Sequence, residues 1–210
     1  MRHHHEQATT RTGGTAVSDL LDRPEGPGTP ETEPGTPGTP AQAERTVRHA
    51  VFDSPVGELT AVGTADGLRA LYFDAHKRRP TGETFGERDD DAFEEVRVQV
   101  GDYFAGTRRE FDLDLAPVGD GFQKKVWALL AQIPYGETRS YGDLALALGD
   151  RNLARAVGAA NGQNPLSIVV PCHRVVGADG SLTGYAGGLE RKRFLLALEE
   201  SDETRASRLF

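Results

Sequence analysis

Short apolar runs open the structured part of the chain, at Arg48–Phe52, Leu59–Gly63 and Leu68–Phe73. The turn signals Ser54-Pro55-Val56-Gly57 and Ala65-Asp66-Gly67 separate them, and connections this short predict an antiparallel meander. Residues 75–91 are polar, with Asp89-Asp90-Asp91 among them, and read as a solvated loop. The period then lengthens. Phe93, Val96, Val100 and Phe104 recur at helical spacing, which predicts an amphipathic helix over 92–105 lying on the sheet. Phe111, Leu113 and Leu115 alternate with Asp112 and Asp114, the pattern of one more strand. No residue in this half stands out as chemistry.

The second half is helical. Phe122, Val126, Leu129, Leu130 and Ile133 mark a helix that Pro134 and Gly136 stop, with Trp127 beside that face as a core residue. Ser140-Tyr141-Gly142-Asp143 matches a capping box and opens a helix with Leu144, Ala145 and Leu148 inward, ended by Gly149. A further helix over 152–160 follows after a tight turn, so the pair predicts a helix-turn-helix. At about 100° per residue, Leu153, Ala156, Val157 and Ala160 form its buried arc. Ala154, Arg155, Gly158 and Ala159 form the outer one. Such a face is flat, with a single cationic rod. Major-groove readers carry several long polar side chains, whereas small residues suit the narrower minor groove, where an arginine can enter the base stack. Composition alone favours Arg155 as an ordinary surface charge.

Of the 210 residues only one is cysteine, which excludes an internal disulfide framework and fits a reducing cytoplasm. No apolar run is long enough to span a bilayer, so no membrane association is expected. The net charge of -8 argues against nucleic acid for the chain as a whole, yet residues 119–198 are net basic and hold the cysteine. Residues 1–44 are poor in large apolar residues and rich in Pro, Gly and Thr, so a disordered tail is expected, with His3-His4-His5 incidental. Residues 201–210 read as a polar C-terminal tail.

That cysteine stands in Pro171-Cys172-His173-Arg174, between the apolar run 166–170 and a Gly-rich loop. A thiol beside a histidine has the makings of an activated nucleophile, although adjacency alone favours a small buried hydrophobe.

Taken together, Phe122-Gln123 with Val126-Trp127, Ile133-Pro134-Tyr135-Gly136-Glu137-Thr138, Ser140-Tyr141, Ala154-Arg155-Ala156-Val157-Gly158, Asn164-Pro165 and Pro171-Cys172-His173-Arg174-Val175 form an ordered set. The set resembles the O6-alkylguanine-DNA alkyltransferases, or methylated-DNA–protein-cysteine methyltransferases, over most of residues 121–199. The strand pattern of 47–115 resembles, more loosely, the family's ribonuclease-H-like domain. The resemblance implies an α+β protein. An N-terminal ribonuclease-H-like α/β domain, antiparallel sheet plus helix, would occupy 45–118, and a mainly helical helix-turn-helix alkyltransferase domain 119–200.

The activity it implies is direct repair of double-stranded DNA bearing O6-alkylguanine, and of O4-alkylthymine as a further substrate, by stoichiometric alkyl transfer to Cys172. His173 would be the base acting through a water, Glu199 its support, and Tyr141 the donor to the guanine ring. Ala154, Arg155, Gly158 and Ala159 would meet DNA, with Arg155 filling the gap left by a flipped nucleotide. Asn164 would tie the DNA helix to the active-site strand, and Tyr185, Ala186, Gly187 and Gly188 would wall the alkyl pocket. Spacing puts Glu199 in the arc of Leu195 and Leu196 on a helix over 189–200 but leaves Glu200 close by, so the resemblance decides between them. Ala186 stands where many relatives have serine, and Thr183 where glycine is frequent, departures that bear on adduct choice. No cofactor and no metal are implied, a second cysteine for a family-type zinc site being absent, and a monomer is expected. A lesion binder without transfer, as in alkyltransferase-like proteins, is the alternative, and those typically replace the cysteine. A cysteine hydrolase would leave the Arg155 face unexplained, and a helix-turn-helix regulator would need polar readers on it.

Overall fold

Strands β1 (Arg48–Phe52), β2 (Leu59–Thr64) and β3 (Gly67–Phe73) pair antiparallel in sequence order, the meander that the short turns dictate. In the computed structural model, which describes residues 46–77, 80 and 85–200, the register sets Ala50 opposite Ala61 and Ala61 opposite Leu71. Ala50, Leu59, Ala61, Leu71 and Phe73 therefore share the face that meets the main core. Val62 and Ala70 point the other way and are covered by Phe85. The expectations for 1–44 and 201–210 lie outside the described residues.

Two expectations for this half need correction. The polar stretch 75–91 is not wholly loop: Glu87–Arg88 forms a short strand, β4, that pairs parallel to β1 and gives the sheet order β3-β2-β1-β4. The alternation at 111–115 does not make a strand, only a single bridge between Leu68 and Leu115. Its backbone groups have another partner. The side-chain amide of Gln99 donates to the Asp112 carbonyl at 2.7 Å and accepts from the Asp112 amide at 2.8 Å, taking bonds a ladder would use. Helix α1 (Glu94–Phe104) presents Val96, Gln99, Val100 and Tyr103 inward, so Tyr103 is the fully buried ring and Phe104 only partly so.

Helix α2 (Gly121–Ala131) opens on a capping box between Asp120 and Gln123. Trp127 is core as expected, its indole N–H donating to the Ala160 carbonyl at 3.0 Å. Ser140 and Asp143 cap helix α3 (Tyr141–Ala147) reciprocally at 3.1 and 2.8 Å. Strand β5 (Arg139–Ser140), just before it, pairs parallel with β6 (Val175–Val176).

The next predicted helix is split into a 3-10 turn, Arg151–Leu153, and helix α4, Ala154–Asn161. The turn winds more tightly than an α-helix, so the face is rotated from the uniform expectation. Val157, Ala160 and Asn161 are buried, Ala156 is exposed rather than buried, and Ala154 and Gly158 are half-buried rather than fully outward. The buried run Leu166–Val170 leads to the cysteine, and helix α5 (Leu189–Glu199) closes the fold. A parallel bridge from Leu71 to Leu166 ties that run to the sheet, so one continuous core supports both halves.

Candidate active site

Pro171 leads into a one-turn 3-10 helix, Cys172–Arg174, whose three residues are all buried. Upstream, Ile168 holds φ at 71°, a conformation costly for a β-branched residue, by roughly 1–3 kcal/mol, and held by its burial. Asn164 braces this approach. Its side-chain amide donates to the Val170 carbonyl at 2.8 Å and to the Leu166 carbonyl at 3.4 Å, and its carbonyl accepts from the Leu166 amide at 3.0 Å. Asn161, at the end of α4, donates to the Cys172 carbonyl at 3.5 Å. The end of helix α4 and the cysteine turn are thereby coupled.

The free thiol of Cys172 is 4% exposed, and burial raises its pKa. Against that act the polar side chain of Asn164, the positive charge of Lys192 and the polar hydroxyl of Tyr185, all of which favour the thiolate. His173 is 0% exposed; burial lowers its pKa, and Glu199 opposes this only in part. The resting pair is thus a neutral thiol beside a neutral imidazole. His173 Nε2 lies 2.9 Å from Glu199 Oε1, while its Nδ1 has no protein partner. Glu199 is 3% exposed, and Glu200 half-buried, so the buried member of the pair is the one the resemblance picked. Burial would raise the Glu199 pKa, but hydrogen bonds from His173 and Arg174, with the charges of both, hold it at about 2.

Lys192 is a residue that sequence reasoning missed. It stands in Glu190-Arg191-Lys192-Arg193, which reads as a solvated charge run, yet it is 0% exposed. Its ammonium donates to the carbonyls of Val175 at 2.5 Å and Thr183 at 2.9 Å. Burial lowers its pKa to about 8, with the Cys172 charge opposing. It is still mostly cationic at neutral pH, which favours the thiolate.

The Gly-rich loop differs in detail from expectation. Tyr185 is buried with its hydroxyl lacking a hydrogen-bond partner among the described residues, and its pKa is raised by burial and then by the adjacent thiol. The Ala186 carbonyl is occupied, accepting from the Lys77 amide at 3.0 Å. Gly187 answers to packing: a Cβ there would stand 2.5 Å from the Phe73 ring. Gly188 turns the chain into α5 at a φ of 90°. Tyr141, half-buried at the start of α3, accepts from the Thr183 hydroxyl at 3.2 Å. The position that departs from the common pattern is therefore bonded to the expected donor. Arg155 and Ala159 are exposed on α4, and no partner among the described residues holds Arg155. Among these residues no group of His, Cys, Asp and Glu could hold a metal, and no helix is long and apolar enough to cross a membrane.

The two halves match two family models. One, described as the ribonuclease-like domain of 6-O-methylguanine DNA methyltransferase, covers residues 47–117, and the other, its DNA binding domain, covers 121–201. A methylated-DNA–protein-cysteine methyltransferase of Methanosarcina acetivorans is 47% identical over 153 residues, 73% of this chain and 98% of that protein. One from Mycolicibacterium paratuberculosis is 49% identical over 166 residues, 78% of this chain and 99% of that protein. The crystal structure of Mycobacterium tuberculosis OGT in complex with DNA aligns with a TM-score of 0.70 at 49% identity, covering 72% of this chain and 92% of that one. With both halves matched in order and relatives covered almost end to end, the chain belongs to the 6-O-methylguanine DNA methyltransferase family, a ribonuclease-like domain followed by a helical DNA-binding domain.

Proposed function

We propose that this protein repairs alkylated DNA by moving the alkyl group from O6 of guanine to its own Cys172, once per chain and irreversibly. The observation that carries this reading is the sole cysteine set beside a buried His173–Glu199 pair, coupled through Asn161 to a helix that exposes Arg155. Glu199 accepts from Nε2–H of His173, which leaves the Nδ1 lone pair as the base. The thiol proton passes to Nδ1 through a water, and the carboxylate stabilises the imidazolium that results. The thiolate then attacks the alkyl carbon in line with the C–O6 bond. The S–C bond forms as that bond breaks, the electron pair goes to the guanine, and the Tyr141 hydroxyl protonates the ring. The Thr183 hydroxyl, donating to Tyr141, eases the negative charge left there. No cofactor takes part.

Access to O6 requires the nucleotide to leave the stack. The helix-turn-helix enters the minor groove with Ala154, Gly158 and Ala159 allowing close approach, and Arg155 occupies the gap of the flipped base. Asn164 keeps the DNA helix and the cysteine turn in register, and Tyr185, Ala186, Gly187 and Gly188 bound the alkyl pocket. We divide the chain into residues 45–118 and 119–200 as the two functional units, and assign it to the cytoplasm as a monomer, where a free thiol stays reduced. O4-alkylthymine is a second candidate substrate.

Mixing the protein with a duplex carrying O6-methylguanine and weighing the intact chain tests the reading. A gain of about 14 Da on the Cys172 peptide, never exceeding one per chain, is expected. Tight lesion binding with unchanged mass would instead favour the alkyltransferase-like alternative.

A further inference from the structure

We infer that Tyr103 is a positioning residue for the transfer: from α1 in the ribonuclease-like half, its hydroxyl fixes Oε1 of Glu199 and, through it, the imidazole of His173. The inference rests on the proposed roles of Cys172, His173 and Glu199 and adds a part for the first half, whose sequence offers no chemistry of its own.

Tyr103 donates to Glu199 Oε1 at 2.7 Å across 96 residues of sequence. The same oxygen meets His173 Nε2 at 2.9 Å and one Arg174 nitrogen at 2.9 Å. Oε2 meets Arg174 Nε at 2.8 Å and the Gly136 amide at 3.3 Å. Of these donors, Tyr103 alone comes from the first half. A buried tyrosine needs some acceptor, and a backbone carbonyl would satisfy it. Here the acceptor is the atom that holds the base. The phenol is itself fixed, since its ring packs against Phe104, Phe111 and Tyr135 at centroid distances of 5.3, 5.6 and 6.1 Å. Four donor residues from three parts of the fold, α1, the cysteine turn and the backbone at Gly136, leave the carboxylate no freedom to rotate away from His173.

The chemistry that follows has a sign. Charge that Tyr103 draws from Glu199 is charge not available to stabilise protonated His173. Removing the hydroxyl makes the carboxylate a stronger partner for imidazolium and takes the neutral base away at higher pH. The other groups facing this site are Arg174, Lys192 and Cys172, with Tyr135 beneath Arg174 and Arg109. None of them is altered by the substitution.

The test is the transfer rate from an O6-methylguanine duplex against pH, for the full chain and for Tyr103→Phe. The acid limb of Tyr103→Phe should move up by roughly half to one pH unit, so that its rate at a fixed pH on that limb falls roughly three- to tenfold, as expected for losing one hydrogen bond to a charged group. Val100→Ala, on the same buried face, should lower the melting temperature and leave the limb in place. An unmoved limb in Tyr103→Phe, or an equal movement in Val100→Ala, overturns the inference. Should Tyr103→Phe fail to fold, 3-fluorotyrosine inserted at position 103 carries the test. Its more acidic phenol should move the limb down, and an unmoved limb overturns the inference. A wild-type chain that never accepts the methyl group overturns the proposed function, and this inference with it; a wild-type chain that transfers while the limb stays fixed overturns this inference alone.

Discussion

The outer face of helix α4 and the turn Cys172–Arg174 belong to one functional unit, yet they treat polar groups in opposite ways. At the turn every residue is buried, and Glu199 alone receives Tyr103, His173, Arg174 and the Gly136 amide. On α4 the charge of Arg155 is left exposed among small residues, with no partner among the described residues. A buried charge must be bonded from all sides or it destabilises the fold, and that bonding also fixes its geometry. An exposed charge costs nothing to leave free, and so stays available to a ligand. On the proposed function, chemistry is held at the first site and recognition is kept open at the second.

If the division is right, damage at the turn should end transfer outright while sparing DNA affinity. Cys172→Ala is expected to take up no alkyl group at all and to shift lesion duplex in a gel as wild type does, because α4 is untouched. Loss of binding would break the separation.

A smaller but measurable effect falls on stability. Glu199→Ala strands the Arg174 guanidinium and His173 in the interior, and breaking such a pair costs about 3–5 kcal/mol, readable as a lower melting temperature. The pH dependence should follow. Glu199 has a folded pKa of about 2, below the ordinary carboxylate range of about 4.3, so its contribution is present above that range and lost as pH falls through about 2. His173 is lowered, so the unfolded chain takes its proton first and stability begins to fall below about 6.5. Wild type should therefore weaken from mildly acidic pH downward in urea titrations, and Glu199→Ala should lack the portion between about 4 and 2.

The smallest expected change sharpens the other side of the comparison. A methyl added at Gly158 would meet the Tyr141 ring at 3.6 Å, ordinary contact, and alanine favours a helix by about 1 kcal/mol. Gly158→Ala should melt slightly higher while repairing duplex more slowly, since the added methyl stands between the helix and the groove. Unchanged repair would show that this part of the face does not approach DNA.

Local chemistry was legible in the sequence where the interacting groups are close along the chain. Ser140 and Asp143 are three residues apart, and their reciprocal cap is readable from spacing alone. The meander followed from its turns in the same way. What spacing could not reveal were partners supplied across the fold. Phe104 fits the helical period as well as Tyr103 does, and only packing selects the latter for the interior. Gln99 captured the backbone of Asp112 and so cancelled a strand that alternation predicted. Lys192 looked solvated because the carbonyls that hold it, at Val175 and Thr183, lie elsewhere in sequence. For Glu199 against Glu200 the period was too coarse, and burial separates them.

The most direct test of the separation compares two substrates with one variant, Arg155→Ala, by measuring alkyl uptake from an O6-alkylguanine duplex and from the free alkylguanine base. The duplex rate should fall by on the order of tenfold or more, since the stack gap is left unfilled, while the free-base rate stays near wild type. Equal losses on both substrates would contradict the account, because Arg155 would then be acting on the buried turn and not on the DNA.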